Sequence, residues 1–416
     1  MLELCVEKNI QTDVVVVGGG TAGVFAAIAA ARCGAKTVLI EKNSTLGGTM
    51  TVANVNFPGL FYAWGKQIID GPCWEAIQRT AALGGAVIPP IQFRPKNHFD
   101  EQITLNRFAY TAVLWEMLHE AGVTVITSAM VSCAAETERG VCLLVTAKEG
   151  LLQLDAKVAV DATGDANLTQ ILGYPVEKSP TQQPATLQNH ISGYDPAAIE
   201  PDALKKAFLE ETFAPYITAD KLLHWLHRGR INVHVPCKDA DTSAGKTEVE
   251  QDAYALLLKI LRFYRRLPGL ENMTVDFVAE ETGIRESNRI VGEETVFAED
   301  YITGKDYPDA VCYAFYPIDL HVMDGIRQKF FDENKVGQIP YGALIPKNAR
   351  HLLVAGRCIA SDTDANSAIR VQAPCMATGQ TAGCAAAVCA RESLPVKDLP
   401  FSLLREKLEI IGAIVP

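Results

Sequence analysis

The chain has 416 residues, 48% of them hydrophobic, with a formal net charge of -11. That length is enough to bury a large core and suggests roughly two or three domains. The acidic balance argues against a nucleic-acid partner, because backbone affinity comes from Lys and Arg releasing counterions.

The first stretch, MLELCVEKNIQTD, mixes acidic with apolar residues and lacks the apolar core of a signal peptide. No apolar run reaches the roughly 18–20 residues of a membrane span, so no membrane partner is expected. DVVVV at 13–17 is a β-branched run of the kind buried on both faces of a parallel sheet. Thr21 to Gly34 is small and Ala-rich, a helix able to pack close to a sheet, and KTVLIEK from Lys36 is the next strand. Together they form a β-α-β unit. Between its parts lies GGGTAG. Gly18 makes the tight turn, Gly20 lets the backbone approach a pyrophosphate, and Gly23 lets the helix pack on the strand. Thr21 and Ala22 open the helix, whose free N–H groups and dipole favour phosphate. Glu41 follows at the distance, roughly 20 residues, expected of the carboxylate that receives ribose hydroxyls.

A helix is expected after Pro72, within 65–83, and a stronger one from Asn106 to Ala121, with Phe108, Val113, Leu114, Met117 and Leu118 on one side. VTVIT at 123–127 reads as a parallel strand. The following segment turns at Arg139-Gly140 and Glu149-Gly150, an antiparallel meander. KVAVDATGDA returns to the buried-strand pattern and ends in a second glycine turn. Residues 175–345 differ, with many prolines and charges, a polar helix around 251–266 and short strands. HLLVAGR and QAPCMATGQTAGCAAAVCARE restore strand, glycine turn and Ala-rich helix. The sequence therefore predicts a discontinuous nucleotide domain (1–60, 105–174 and 346–416) and a substrate domain (61–104 and 175–345).

NAD(P) and FAD both carry a pyrophosphate, and three signals choose FAD. Lys42 and then Gly47, Gly48 and Thr49 follow Glu41 and can reach along a longer dinucleotide. Ala162, Thr163, Gly164 and Asp165 form the second glycine turn, where the chain passes the cofactor again. Gly356 and Arg357 lead to a helix that Gly379 and Gly383 are expected to open towards the flavin pyrimidine, with Gln380 between them at the cofactor, where a helix N-terminus stabilises negative charge. Val131 in the meander is placed beside the cofactor as well.

The chain resembles the FAD-dependent oxidoreductases of the glutathione-reductase-like fold. Within them it is similar to bacterial flavoproteins distantly related to the fumarate reductase and succinate dehydrogenase flavoproteins. The likeness runs through GGGTAGVFAAIAAA, EKNSTLGGTMT, FYAWGKQIIDG, DATGDA, GIRESNRIVGEE, FYPIDLH, IPYGALIP, HLLVAGRCIAS and IRVQAPCMATGQTAG. It implies an α/β, Rossmann-like FAD/NAD(P)-binding fold of glutathione-reductase type with an inserted α+β substrate domain, and flavin redox chemistry on undefined substrates. The second G-x-G-x-x-G unit and the C-x-x-x-x-C redox pair of disulfide reductases are missing. Cys384 and Cys389 have that spacing but fall late in an Ala-rich helix and read as buried packing residues.

Flavin chemistry also needs a group to move a proton and one to orient the substrate. In FYPIDLH a strand puts Asp319 and His321 on one face, a carboxylate beside an imidazole, and His321 is the expected acid–base residue. Arg285 and Arg289 are weighed as a carboxylate clamp against a structural ion-pair network with Glu286, Glu293 and Glu294. Arg370, just before the Ala-rich helix, is expected to neutralise flavin or an acidic substrate. Cys375 reads as a packing residue, and Asn54 and Asn56 as either flavin-facing or loop-stabilising. His224 and His227 sit one turn apart but lack a third ligand, so no metal is expected. Eleven cysteines without a C-x-x-C pair read as reduced, which places the protein in the cytoplasm. The functional expectation is a dehydrogenase or reductase moving a hydride between FAD and a small polar or acidic metabolite. A separate electron acceptor is its partner, and assembly into a homo-oligomer is compatible with the sequence. The alternatives are a monooxygenase or halogenase, or a non-catalytic flavin-binding carrier.

Overall fold

The computed structural model describes residues 6–91 and 102–416, so Met1–Cys5 and part of the segment expected between 61 and 104 lie outside it. The first unit runs β1 (Val6–Val17), α1 (Gly23–Arg32), β2 (Thr37–Glu41), α2 (Pro72–Ala82), α3 (Arg107–Glu120), β3 (Thr124–Thr127), β4 (Met130–Thr137), β5 (Gly140–Ala147) and β6 (Gly150–Asp161). It is completed by β7 (Leu352–Val354), α4 (Gln372–Glu392) and α5 (Phe401–Ile410).

These seven strands form one sheet in the order β3-β2-β1-β6-β5-β4, with β7 also on β6. The β1–β2, β2–β3, β1–β6 and β6–β7 pairings are parallel, and the two meander pairings are antiparallel. The result is a Rossmann-like mixed α/β architecture. Val14–Val17 are buried between neighbours on both sides, as their β-branched run requires. β1 is longer than the apolar run suggests. Its polar first half, including Asn9, Ile10 and Gln11, is held by the first half of β6, and Gln11 donates to Asp155 across the pair at 2.7 Å.

Asn106 caps α3 by accepting from the Ala109 amide at 3.0 Å. Val113, Leu114, Met117 and Leu118 are buried, but Phe108 is 80% exposed. Tyr110 takes the core position expected of Phe108, because it lies three residues before Val113 and seven before Met117.

α4 begins at Gln372, so Gly379 and Gly383 lie within it rather than opening it. Their purpose is contact with α1. A Cβ on Gly379 would lie 2.2 Å from the Ala22 carbonyl oxygen, and one on Gly383 would lie 2.1 Å from that of Ala26. Two backbones can approach this closely only where side chains are absent.

A second hydrophobic core is built within residues 185–284, from Leu222, Trp225, Leu226, Ile260, Phe263 and Tyr264 among others. Its long helix, Ser243–Tyr264, starts earlier than the polar pattern suggests because Thr242 caps it, accepting from the Gly245 amide at 3.0 Å. The expected substrate domain is wider than this core. Ile290, Val296, Tyr301 and Val311, and likewise Phe61, Trp74 and Ile77, pack into the first core. Short, proline-flanked strands look alike in sequence whichever core receives them. Among the described residues, no helix is long and apolar enough to cross a membrane.

Candidate functional site

A cavity of about 730 Å³ runs past the carboxyl ends of β1, β2, β6 and β7 and on to the second core. Ligands of open α/β sheets bind at these strand ends. The glycine loop forms one wall. Gly18 has φ +104°, and a Cβ there would meet the Ala162 carbonyl oxygen at 2.4 Å, so only glycine fits between the two turns. No side chain caps α1. The Val24 amide donates to the Gly20 carbonyl at 3.2 Å, and the other amides of the first turn are left for a phosphate, with Gly20, Thr21 and Ala22 lining the cavity beside them.

Glu41 lines the same cavity at the end of β2. Its carboxylate accepts from the Gly19 amide at 2.6 Å and the Asn43 amide at 2.8 Å. Burial pushes its pKa up, and those two N–H groups oppose the shift. An ionised carboxylate has about four acceptor sites, so two remain for ribose hydroxyls.

The second glycine turn is built around Asp161. This buried carboxylate accepts from the Thr163 and Thr169 amides and hydroxyls at 2.7–3.0 Å. Arg357 ties the turn to β7, donating to the Gly164 carbonyl at 2.7 Å and to Asp165 at 2.5 Å. Its guanidinium shapes the wall and itself lines the cavity. Lys42, Gly48, Thr49, Val131, Ala162, Thr163, Gly164, Asp165 and Gly356 also line the cavity.

Four expected cofactor residues do not line it. Gly23 packs against the Gly18 carbonyl, and Gly47 lies behind the loop, its amide donating to the Gly19 carbonyl at 2.9 Å. Gly379 packs on α1. Gln380 is turned away, donating to the Asp70 carbonyl and accepting from the Cys73 thiol. The positions that do open α4 at the cavity are Val371, Gln372 and Cys375.

The other end of the cavity carries Arg285, Tyr316, Asp319, His321 and Arg370. Asp319 and His321 lie two apart on the strand Ile318–Val322, and the His321 Nε2 is 3.0 Å from the Asp319 carboxylate. Gln328 donates to the other carboxylate oxygen at 2.9 Å. Burial pushes the Asp319 carboxyl up, but the His321 contact, Gln328 and Arg370 together hold it below its ordinary value. Burial pushes His321 below the ordinary imidazole value, with Arg285 and Arg370 adding to the shift and Asp319 opposing it.

Arg285 and Arg289 separate. Arg289 is buried in an ion pair with Glu286 at 2.9 Å and bonds Ser179 and the Ser361 carbonyl, a structural network. Arg285 faces the cavity, donating to the Pro184 carbonyl and the Thr186 hydroxyl at 2.5 and 2.6 Å. Burial, then repulsion from Arg370, pushes its pKa down to about 9. Arg370 donates to Gln183 at 3.3 Å, and its Nε is buried with no acceptor among the described residues.

Cys375 is buried in the first turn of α4 and its thiol is pushed up to about 12 by burial, which suits a packing residue. Cys384 finds Cys33 rather than Cys389, with the sulfurs 3.2 Å apart. Asn56 donates to the Leu105 carbonyl and neither it nor Asn54 lines the cavity. His224 and His227 lie on the exposed side of their helix.

Sequence reasoning missed His234. It stands opposite Thr186 in the pairing of Ala185–Leu187 with Val233–Val235. Its Nε2 is 3.4 Å from Arg285, and its ring stacks on His321 with centroids 6.2 Å apart. The only sequence signal was the alternation in NVHV, which gives a face but no partner.

Strand-end cavity, uncapped helix and ribose-competent carboxylate define a dinucleotide-binding protein. The sequence model of the FAD dependent oxidoreductase family matches residues 13–408, and the chain belongs to that family. It is an FAD-dependent oxidoreductase, and FAD is its cofactor. Local likeness is found to mitochondrial dihydrolipoyl dehydrogenases, 65% identical over 43 residues in Caenorhabditis elegans and 58% over 43 in Homo sapiens. Those matches span 10% of this chain and 9% and 8% of the two enzymes, less than a tenth of their length. Among solved structures, the chain is similar to a geranylgeranyl bacteriochlorophyll reductase-like protein from Thermoplasma acidophilum, at 15% identity and TM-score 0.45, covering 97% of this chain and 84% of that one. It is also similar to the OxyS anhydrotetracycline hydroxylase from Streptomyces rimosus, at 13% identity and TM-score 0.48, covering 96% and 65%.

Proposed function

We propose that this enzyme moves a hydride between FAD and a small polar or acidic metabolite held where Arg285, Asp319, His321 and Arg370 meet. The observation that carries the reading is the Asp319–His321 pair on the cavity wall, 3.0 Å apart. FAD, when bound, supplies the hydride acceptor or donor. Gly20, Thr21, Ala22 and Glu41 would hold it, for the reasons of geometry given above.

An ionised Asp319 can only accept, so His321 donates Nε2–H to it and keeps a lone pair on Nδ1. With its pKa held below the ordinary value, the imidazole is neutral at pH 7. Nδ1 can then take a proton from a substrate hydroxyl or amine as the adjacent C–H leaves as hydride, and return it in the reverse direction. Asp319 fixes the ring and stabilises the imidazolium that forms. Arg285 and Arg370 orient the substrate.

The core within 185–284 covers this end of the cavity and serves as the substrate cap in this reading. A separate electron acceptor belongs to it too, since the chain carries no second G-x-G-x-x-G unit. Within its family the protein is read as glutathione-reductase type, with kinship to fumarate reductase and succinate dehydrogenase flavoproteins. The meander that returns through β6 to the parallel sheet supports that assignment.

The test is anaerobic mixing of the purified holoprotein with a panel of small hydroxy, amino and unsaturated acids, following flavin absorbance. Bleaching by a hydroxy or amino acid, or reoxidation of the reduced protein by an unsaturated one, is expected. Reduction by a nicotinamide nucleotide alone, with oxygen consumed, would move the protein to the monooxygenases. No redox response to any partner would make it a carrier.

A further inference from the structure

The charges at the substrate end of the cavity do not cancel. Arg285 and Arg370 are cationic, Asp319 is anionic, and His321 is neutral. Glu286, the other carboxylate that acts on Arg370, is already paired with Arg289 at 2.9 Å. His234 adds nothing to the charge. Its Nδ1 lies 3.0 Å from the Asn232 carbonyl, which only accepts, so Nδ1 carries the proton. Its Nε2 faces Arg285 Nη2 at 3.4 Å, and a guanidinium only donates, so Nε2 is bare. Two neighbours thus fix both the tautomer and the neutrality of this ring. Among the described residues one positive charge is left over in this buried site, where an unpaired charge is costly.

The hydrogen bonds show the same surplus. Arg370 Nε is buried without an acceptor among the described residues. On Arg285, Nη1 is held by the Pro184 carbonyl and the Thr186 hydroxyl, and one Nη2 hydrogen by His234. Nε–H and the second Nη2 hydrogen have no acceptor among the described residues. A guanidinium with two spare donors matches a carboxylate.

Resting on the hydride-transfer reading above, we infer that the substrate carries a single carboxylate, seated between Arg285 and Arg370. His234 is the positioning residue that holds Arg285 in place. The anion completes the charge balance, fills the spare donors, and leaves the neighbouring carbon to be served by His321. A dicarboxylate would instead put a net negative charge into the same buried space.

The experiment titrates FAD-loaded protein with propionate, its neutral isostere propionamide, and malonate, reading the perturbation of the flavin spectrum. Propionate should bind at least about tenfold more tightly than propionamide, the size of one charge-assisted contact, and malonate no more tightly than propionate. Arg285→Leu and Arg370→Leu should each abolish the preference, and Arg370→Lys should keep part of it. His234→Phe should shrink the propionate-to-propionamide ratio without changing the propionamide affinity, and His234→Gln, which restores an acceptor, should recover it. FAD content and thermal midpoint identify any variant that fails to fold, and the wild-type ratio then still decides. Equal binding of propionate and propionamide by the wild type overturns the site, and malonate preferred tenfold overturns the single charge. An unchanged ratio in His234→Phe overturns the positioning role. If propionate is selected but no acid exchanges electrons with the flavin, the carboxylate site stands and the hydride-transfer reading fails. If acids do reduce the flavin while the ratio is one, the reverse holds.

Discussion

Substituting Gly379 by alanine tests whether α4 serves the cofactor through its packing on α1. The new methyl carbon would lie 2.2 Å from the Ala22 carbonyl oxygen. That oxygen is backbone, already accepting from the Ala26 amide at 2.9 Å, and has no rotamer by which to give way. The two helices must separate by roughly 1 Å to restore an ordinary contact. Two effects oppose each other. Alanine is favoured over glycine in a helix by about 1 kcal/mol, whereas overpacking a buried contact costs about 1–3 kcal/mol. With backbone on the far side the cost lies at the upper end, so a net loss of about 1–2 kcal/mol is expected. Ala22 also lines the cavity at the start of α1, so displacement disturbs the phosphate-binding amides. FAD affinity should fall by roughly tenfold, the equivalent of about 1.4 kcal/mol. Thermal unfolding of the apoprotein and FAD release on dilution measure the two effects. Gly325→Ala, with no atom within 4 Å of its Cβ, is the control and should be nearly neutral. A Gly379→Ala protein as stable as the parent, with full FAD occupancy on dilution, would refute the packing argument.

Three other perturbations follow from the same geometry. Glu41→Ala removes the ribose acceptor and strands two amides, so FAD affinity should fall by about 1–3 kcal/mol, measured by fluorescence of released flavin; unchanged affinity would remove Glu41 from the site. Burial, with Arg285 adding to it, pushes His234 down to about 3 from an ordinary 6.5, so the unfolded chain takes up a proton that the folded one refuses. Its contribution to stability is complete above about pH 6.5 and is lost as pH falls towards 3, at up to roughly 1.4 kcal/mol per unit. The stability of His234→Gln should therefore fall less steeply than wild type in that window by denaturant titration, and parallel curves would contradict the assignment. Finally, Cys33 and Cys384, with sulfurs 3.2 Å apart, should lose their thiols together on mild treatment with hydrogen peroxide and yield a linked peptide by mass spectrometry. Loss of one thiol without the other would argue against the contact.

What could be read from the sequence was local. Val14–Val17, the glycine loop and Glu41 lie within one β-α-β unit, whose spacing fixes their geometry. Asp319 and His321 are two apart in a strand, and period two suffices to bring them together. Long-range placement was hidden. Arg285 and Arg289 look equivalent in GIRESNRIVGEE, but only the former reaches the cavity, because Asn288–Ile290 pairs with Val176–Lys178 and buries the latter. His234 meets Arg285 through a cross-strand register with Thr186 that no local pattern reveals. Gly379 was misread because a glycine in an Ala-rich run has the same signature whether it opens a helix or lets two helices touch.

The most direct measurement is the anaerobic single-turnover rate of flavin reduction by the acid that bleaches the holoprotein, compared between wild type and His321→Ala. If His321 takes the proton, the variant should keep a native flavin spectrum and slow by about 100-fold or more. The wild-type rate should fall only below the ordinary imidazole pKa, since burial holds His321 under that value. A variant that reduces at the wild-type rate would make His321 structural and contradict the account.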